Sequence, residues 1–237
     1  MSILLKYISL FLCLCMTFSC VNEYRVQQIL LKHPNKGLLG IDVSHYQGDI
    51  DWKNIKHITG KRKAEFVFMR ATVGKDKDRK FSRNWTESKK KGLIRGAYHY
   101  YRPNENSLEQ AELFIKTVKL SPGDLPPVLD IEEKSRIQST ASLIVGLKRW
   151  IKKIEDHYGV KPIIYSSSNF YSAWLKKEFG DYPLWVANYN PGKEPIKGKK
   201  WKFWQYSQWG KIEGVNGPVD LDVFYGSVND LKKLCIK

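Results

Sequence analysis

The chain has 237 residues, enough for one domain with a substantial core. Its formal charge is +16 at pH 7, which draws a protein toward nucleic acid, anionic lipid or an anionic cell wall. The lysines are spread in short clusters such as Lys89–Lys90–Lys91 and Lys232–Lys233, as on solvated faces, and no DNA- or RNA-recognition motif accompanies them, so no nucleic-acid partner is expected.

Residues 1–20 read as a sorting signal. Lys6 stands in a short leading region, and the apolar stretch from Tyr7 to Phe18 is too short for a spanning helix. Small Ser19 precedes Cys20. The pattern resembles a bacterial lipoprotein signal, although Phe18 stands where such signals carry a small aliphatic residue. The resemblance implies export, acylation of Cys20, and a membrane anchor facing the periplasm or the cell surface. A plain secretory leader and a retained anchor are the alternative readings. Loss of Lys6 with the leader would take the charge from +16 to about +15. Of Cys13, Cys15, Cys20 and Cys235, only the last two would remain, which leaves no disulfide framework and no zinc-type spacing. Residues 21–37 are polar and are expected to be a tether, with 38–237 forming the domain.

Eight apolar runs rich in β-branched and aromatic residues follow, each predicting a strand: Leu38–Val43, Phe66–Arg70, Ile94–Tyr100, Pro127–Glu132, Pro162–Tyr165, Leu184–Tyr189, Lys202–Tyr206 and Val219–Val223. Helical patterns over Ser82–Lys91, Leu108–Val118 and Ala141–Tyr158 fall between the earlier ones. In the third, Leu143, Leu147, Trp150, Ile151 and Ile154 recur at helical spacing, and Gly159 marks the stop. After Tyr189 no helix is predicted. Strand–helix alternation predicts a parallel sheet, and eight strands predict an α/β fold closed into an irregular, TIM-like barrel whose helices are missing in the last third.

In such a barrel, functional groups belong at the C-terminal ends of strands. Asp42 falls late in the first predicted strand, Asp130 and Glu132 end the fourth, and Asp220 and Asp222 lie in the last. Asp130 and Glu132 are two residues apart, so an extended chain points both to one face with Cα atoms about 6–7 Å apart. Two carboxyls in a confined site cannot both ionise freely, and one is left protonated near neutral pH. Glycoside hydrolysis uses such a proton donor together with an anion. A lone Asp-x-Glu is commonly just an exposed strand end; the apolar run Leu125–Pro126–Pro127–Val128–Leu129 argues instead for a buried strand.

The block Gly40–Ile41–Asp42–Val43–Ser44–His45–Tyr46–Gln47–Gly48, followed by Ile50–Asp51–Trp52, resembles the start of the family 25 glycoside hydrolases, the Chalaropsis-type lysozymes. Later blocks match in order: Phe66 to Thr72; Asp78, Phe81 and Asn84; Gly92 to Tyr100; Leu129–Asp130–Ile131–Glu132; Ile164–Tyr165–Ser166; Leu184 to Tyr189; Phe203 to Tyr206; and Gly214 to Asp222. The resemblance implies an irregular barrel that cleaves the β-1,4 bond between N-acetylmuramic acid and N-acetylglucosamine in peptidoglycan, with no metal or cofactor. Position by position, it implies Glu132 as general acid, Asp130 as the group that holds the acetamido substituent or stabilises the charged intermediate, and Asp42 and Asp220 as supporting carboxylates. Tyr98, Tyr165, Trp185, Tyr189 and Trp204 are candidate sugar contacts, because aromatic rings offer flat apolar faces; core packing is the equally weighted alternative.

Two positions depart from the family pattern. Val73 stands where Glu is common, and Asp222 stands where Asn is common, which makes Asp222 a second candidate beside Asp220. His45 and His99 are expected to be hydrogen-bonded orienting residues, since neither has a nucleophilic Ser or Cys partner. Peptidoglycan glycan strands and the membrane are the expected partners of a monomer. Two other functions are weighed: a non-catalytic wall-binding lipoprotein, and a chitinase-like hydrolase. Leu125 and Val128 stand where the chitinase pattern needs acids, which counts against the latter.

Overall fold

The computed structural model describes residues 34, 36–59, 62–190, 194–196 and 201–237. The expected leader with Cys20, and nearly all of the expected tether, lie outside the described residues.

In chain order the strands are β1 (Leu38–Val43), β2 (His57–Thr59), β3 (Arg62–Val73), β4 (Asp76–Lys77), β5 (Ile94–Tyr100), β6 (Val128–Asp130), β7 (Ile163–Ser167), β8 (Leu184–Ala187), β9 (Phe203–Gly210) and β10 (Val219–Phe224). Eight of them, all but β2 and β4, close into a barrel in the order β1, β3, β5, β6, β7, β8, β9, β10 and back to β1. Neighbours are parallel from β1 round to β9, whereas β10 runs antiparallel to both β9 and β1. All eight predicted strands are therefore present. The short β2 and β4 hang on β3 and were not predicted, being brief and polar.

Helices α1 (Phe81–Lys90), α2 (Ser107–Thr117) and α3 (Thr140–Tyr158) connect parallel strands and agree with their predicted spans to within one residue at each end. Ser139 caps α3 by accepting from Ser142 N, and Gly159 ends it at φ +69°, a left-handed turn that glycine adopts without strain. Leu143, Leu147, Trp150, Ile151 and Ile154 form its buried face, as the spacing predicts. Two helical segments differ from expectation. Ser168–Phe170, Tyr171–Leu175 and Lys176–Phe179 make a short helical connection between β7 and β8. A C-terminal helix, Val228–Leu234, follows the closing strand; it overturns the expectation of no helix after Tyr189. Among the described residues no helix links β8 to β9 or β9 to β10.

The barrel interior follows from strand alternation. One face of β3 carries Phe66, Phe68 and Arg70, and register places them beside Ile94, Gly96 and Tyr98 of β5. Rings fill the lower interior: Phe66 meets Phe203 at 5.2 Å, Phe203 meets Phe224 at 5.0 Å, and Phe68 stacks on Trp185 at 4.3 Å. Leu231 and Cys235 at the chain end join the same apolar cluster. The rings need room that only glycine leaves. A Cβ at Gly40 would come within 2.4 Å of the Phe66 ring, and one at Gly96 within 2.5 Å of Phe68.

Candidate active site

The same inward rows turn polar toward the C-terminal ends of the parallel strands. Phe66 and Phe68 give way to Arg70, Val128 to Asp130, and Phe203 to Gln205. On β1 the row ends at Asp42, and on the reversed β10 it runs up through Asp222 to Asp220, opposite Asp42. A groove of about 300 Å³ opens here. Asp42, Asp130, Glu132 and Asp220 all line it, so four acids separated by up to 178 positions in the chain meet in one place. Tyr98, Tyr165, Trp185 and Tyr189 line it as well.

Hydrogen bonds fix this lining. Gln205 Nε2 donates to Asp42 Oδ2 at 2.7 Å, and Gln205 Oε1 accepts from Tyr165 OH at 2.8 Å and Tyr189 OH at 2.7 Å. Trp185 Nε1 donates to Asp222 Oδ1 at 2.8 Å. Arg70 Nε donates to buried Asp78 at 3.0 Å, and its guanidinium lies 5.1 Å from the centre of the Tyr46 ring. Tyr46 is 77% exposed at the rim, where a flat ring can meet a sugar face. Asp130 is buried, and its Oδ1 has no hydrogen-bond partner among the described residues. A buried acceptor left open at a groove wall is a place for a ligand donor.

Burial in this apolar-walled site disfavours charge on every acid. Asp42 is held well above the usual carboxylate range, chiefly by desolvation and then by Asp222. Asp130 is also raised, by burial, Glu132 and Asp42, while the Arg70 cation pulls it back. Glu132 lies past the end of β6 and opens to solvent; desolvation in the groove wall and neighbouring Glu133 raise its carboxyl. Asp220 is pushed up to about 9 by burial, Asp42 and Glu132.

Two candidates lie elsewhere. Trp204 does not line the groove: it sits on the opposite face of β9 from Gln205 and donates Nε1 to Asn188 O at 2.7 Å. Assigning it a sugar contact misjudged strand parity by one residue. Asp222 is fully buried beneath the groove floor rather than on its surface. Val73 ends β3 outside the groove lining, so the departure there does not touch the cleft directly. His99 is a core residue, hydrogen-bonded to Thr72 at 2.7 Å and Gln110 at 2.9 Å, and burial lowers its pKa to about 4. His45 bonds Asp78 at 3.0 Å. Both therefore orient neighbours, as expected. Gln205, Arg70, Tyr46 and Tyr100 were missed as lining residues; the alternation that places Asp42 and Tyr98 inward would have found Gln205 and Tyr100. Among the described residues no group of three His, Cys, Asp or Glu side chains is arranged to hold a metal ion.

Comparison with known proteins agrees with this geometry. The profile of the glycosyl hydrolases family 25 matches residues 41–215. The chain is 44% identical over 195 residues to YegX of Escherichia coli K12, covering 81% of this chain and 71% of that protein. It is 34% identical over 213 residues to Lysozyme M1 of Streptomyces globisporus, covering 84% of this chain and 71% of that one. The solved structure of a family 25 glycosyl hydrolase from Bacillus anthracis superposes with a TM-score of 0.76 at 32% identity, over 85% of this chain and 95% of that one. The chain belongs to the glycosyl hydrolases family 25, and it is a glycoside hydrolase of lysozyme type.

Proposed function

We propose that the protein is an N-acetylmuramidase that cuts the β-1,4 bond between N-acetylmuramic acid and N-acetylglucosamine in peptidoglycan. The observation that carries this reading is the meeting of Asp42, Asp130, Glu132 and Asp220 in one groove, with Glu132 the acid most open to a ligand.

Glu132 serves as general acid. Its raised carboxyl keeps a proton toward neutral pH, and its exposure lets that proton reach the glycosidic oxygen as the C1–O bond breaks. Asp130 faces the positive charge that develops at C1. Its open Oδ1 can accept from the substrate's acetamido N–H, and the Arg70 cation offsets part of the burial that disfavours its charge. Water then completes hydrolysis at C1. Asp42 and Asp220 keep the site acidic and rigid, and Tyr98, Tyr165, Trp185 and Tyr189 shape the groove for sugar rings.

Purified cell walls are the substrate to use. Release of fragments ending in reducing muramic acid, read by mass analysis, is the expected result. Reducing glucosamine ends would assign a glucosaminidase instead, and clearing of the walls without new reducing ends would rule out a glycosidase. The protein is further proposed to be exported and to act as a monomer anchored to the bacterial membrane through lipid on Cys20, on the motif at residues 1–20. A palmitate-analogue label should be present on the wild type and lost on Cys20→Ala; a label that survives the substitution sinks the anchor. The positive charge would hold the enzyme on anionic wall polymer, so wall binding should weaken as salt rises.

A further inference from the structure

The groove lining is tied by a polar chain to a buried carboxyl that the catalytic reading does not use, Asp222. Tyr165 and Tyr189 hydroxyls donate to Gln205 Oε1, which leaves Gln205 Nε2 to donate to Asp42 Oδ2. Asp222 is the diagonal cross-strand neighbour of Asp42 on the same inward face, and its charge helps to raise the Asp42 carboxyl. Trp185 Nε1 donates to Asp222 Oδ1 from the other side, while Asp222 Oδ2 has no hydrogen-bond donor among the described residues. The strands explain how the two acids meet. Asp222 pairs with Gly40 and Asp220 pairs with Asp42, so Asp222 and Asp42 lie diagonally across the β1–β10 ladder, with the Phe66 ring over Gly40.

Two neighbouring carboxyls cannot both ionise freely in a dry site, and one proton held between them relieves the repulsion. Both acids are buried, at 5% and 0% exposure, where a pair of bare carboxylates would be costly. We propose that Asp222 is a positioning residue: it shares one proton with Asp42, and the carboxyl pair holds the groove floor, from Trp185 on one side to Tyr165 and Tyr189 on the other, in the geometry that glycan cleavage needs. The titratable groups facing the pair are Asp220, Asp130 and Glu132 with Tyr98, Tyr165, Tyr189 and Tyr206. None is a cation, so none replaces the proton. The nearby cation, Arg70, is engaged with Asp78 and turned toward Tyr98 and Asp130.

The shared proton stands apart from the muramidase reading, whereas its use in cleavage rests on that reading. Infrared spectroscopy of the ligand-free protein at neutral pH tests the proton, because a protonated carboxyl has a C=O stretch that a carboxylate lacks. The double substitution Asp42→Asn with Asp222→Asn should lose a single acid band. A double variant that loses two bands means two independent protons, and one that loses none means no proton; both results overturn the pair. Steady-state rates on cell walls test the positioning. Asn at 222 can accept from Trp185 and donate to Asp42, so Asp222→Asn should keep kcat within a few-fold of wild type. Asp222→Leu should lower kcat by about 10²-fold, and Gln205→Leu, which cuts the chain on its other side, should do the same. Wild-type kcat in whichever of these two leucine variants folds overturns the positioning role. A wild type that releases no reducing ends would remove the muramidase reading and leave the infrared result standing.

Discussion

The floor and the mouth of the barrel are made from the same strands with opposite chemistry. On β3, Phe66 and Phe68 pack into a dry stack, and two residues later Arg70 faces a groove of acids. On β10, Phe224 belongs to the floor and Asp220 to the mouth, with Asp222 buried between them. The floor gains from burying rings, each worth about 1.5–3 kcal/mol when fully removed from water. The mouth gathers like charges and desolvates them, which opposes folding. Stability is stored at one end and offset at the other, so substitutions at the two ends should separate rate from stability.

Three experiments sharpen that contrast. Glu132→Gln should lower the rate of reducing-end release by about 10²–10⁴-fold, because it removes only the proton. Its melting temperature should match or exceed wild type; a lower one would make Glu132 a structural group. Phe203→Ala should do the reverse. Emptying the centre of the ring stack should cost about 3–5 kcal/mol in urea unfolding, with the rate per folded molecule near normal. The third change is smaller and depends on pH. Asp220 titrates near 9 in the folded protein, against about 3.9 in an unfolded chain. As pH rises above the unfolded value, the unfolded chain gains by ionising while the folded one keeps its proton. The contribution of Asp220 to stability is therefore greatest at low pH and is lost progressively toward pH 9. Asp220→Asn should flatten this slope and stabilise the protein by about 1–2 kcal/mol at pH 8, measured as melting temperature against pH. An unchanged slope would show that Asp220 is already ionised.

Much of this arrangement was legible in the sequence, and the reasons are local. Barrel strands buried on both faces read as continuous apolar runs, which is why all eight stood out. The spacing of Leu143, Leu147, Trp150 and Ile154 declared α3, and Asp130-x-Glu132 declared the mouth. The failures come from shorter signals. Val228–Leu234 spans seven residues, too few for a clear period, though Ser227 and Asp230 form a capping box that marked its start. The connection after β7 is broken into three short helical pieces, one of them a π-turn, and has no single repeat. Trp204 was placed in the groove by block matching, whereas parity with Phe203 and Gln205 puts it on the outside. The proximity of Asp42 and Asp222 was beyond reach, since it depends on the pairing of two strands 180 positions apart.

The closure of β1 on β10 bears on how the protein is made. The strand carrying Asp42 is among the earliest parts of the fold to be synthesised, and the strand carrying Asp220 and Asp222 is among the last. Until that last strand arrives, β1 lacks one neighbour, the floor lacks Phe224, and two of the acids have no counterpart. A growing chain therefore carries no assembled cutting site. The acids of β1 and β10 are brought into one groove only when these two strands pair.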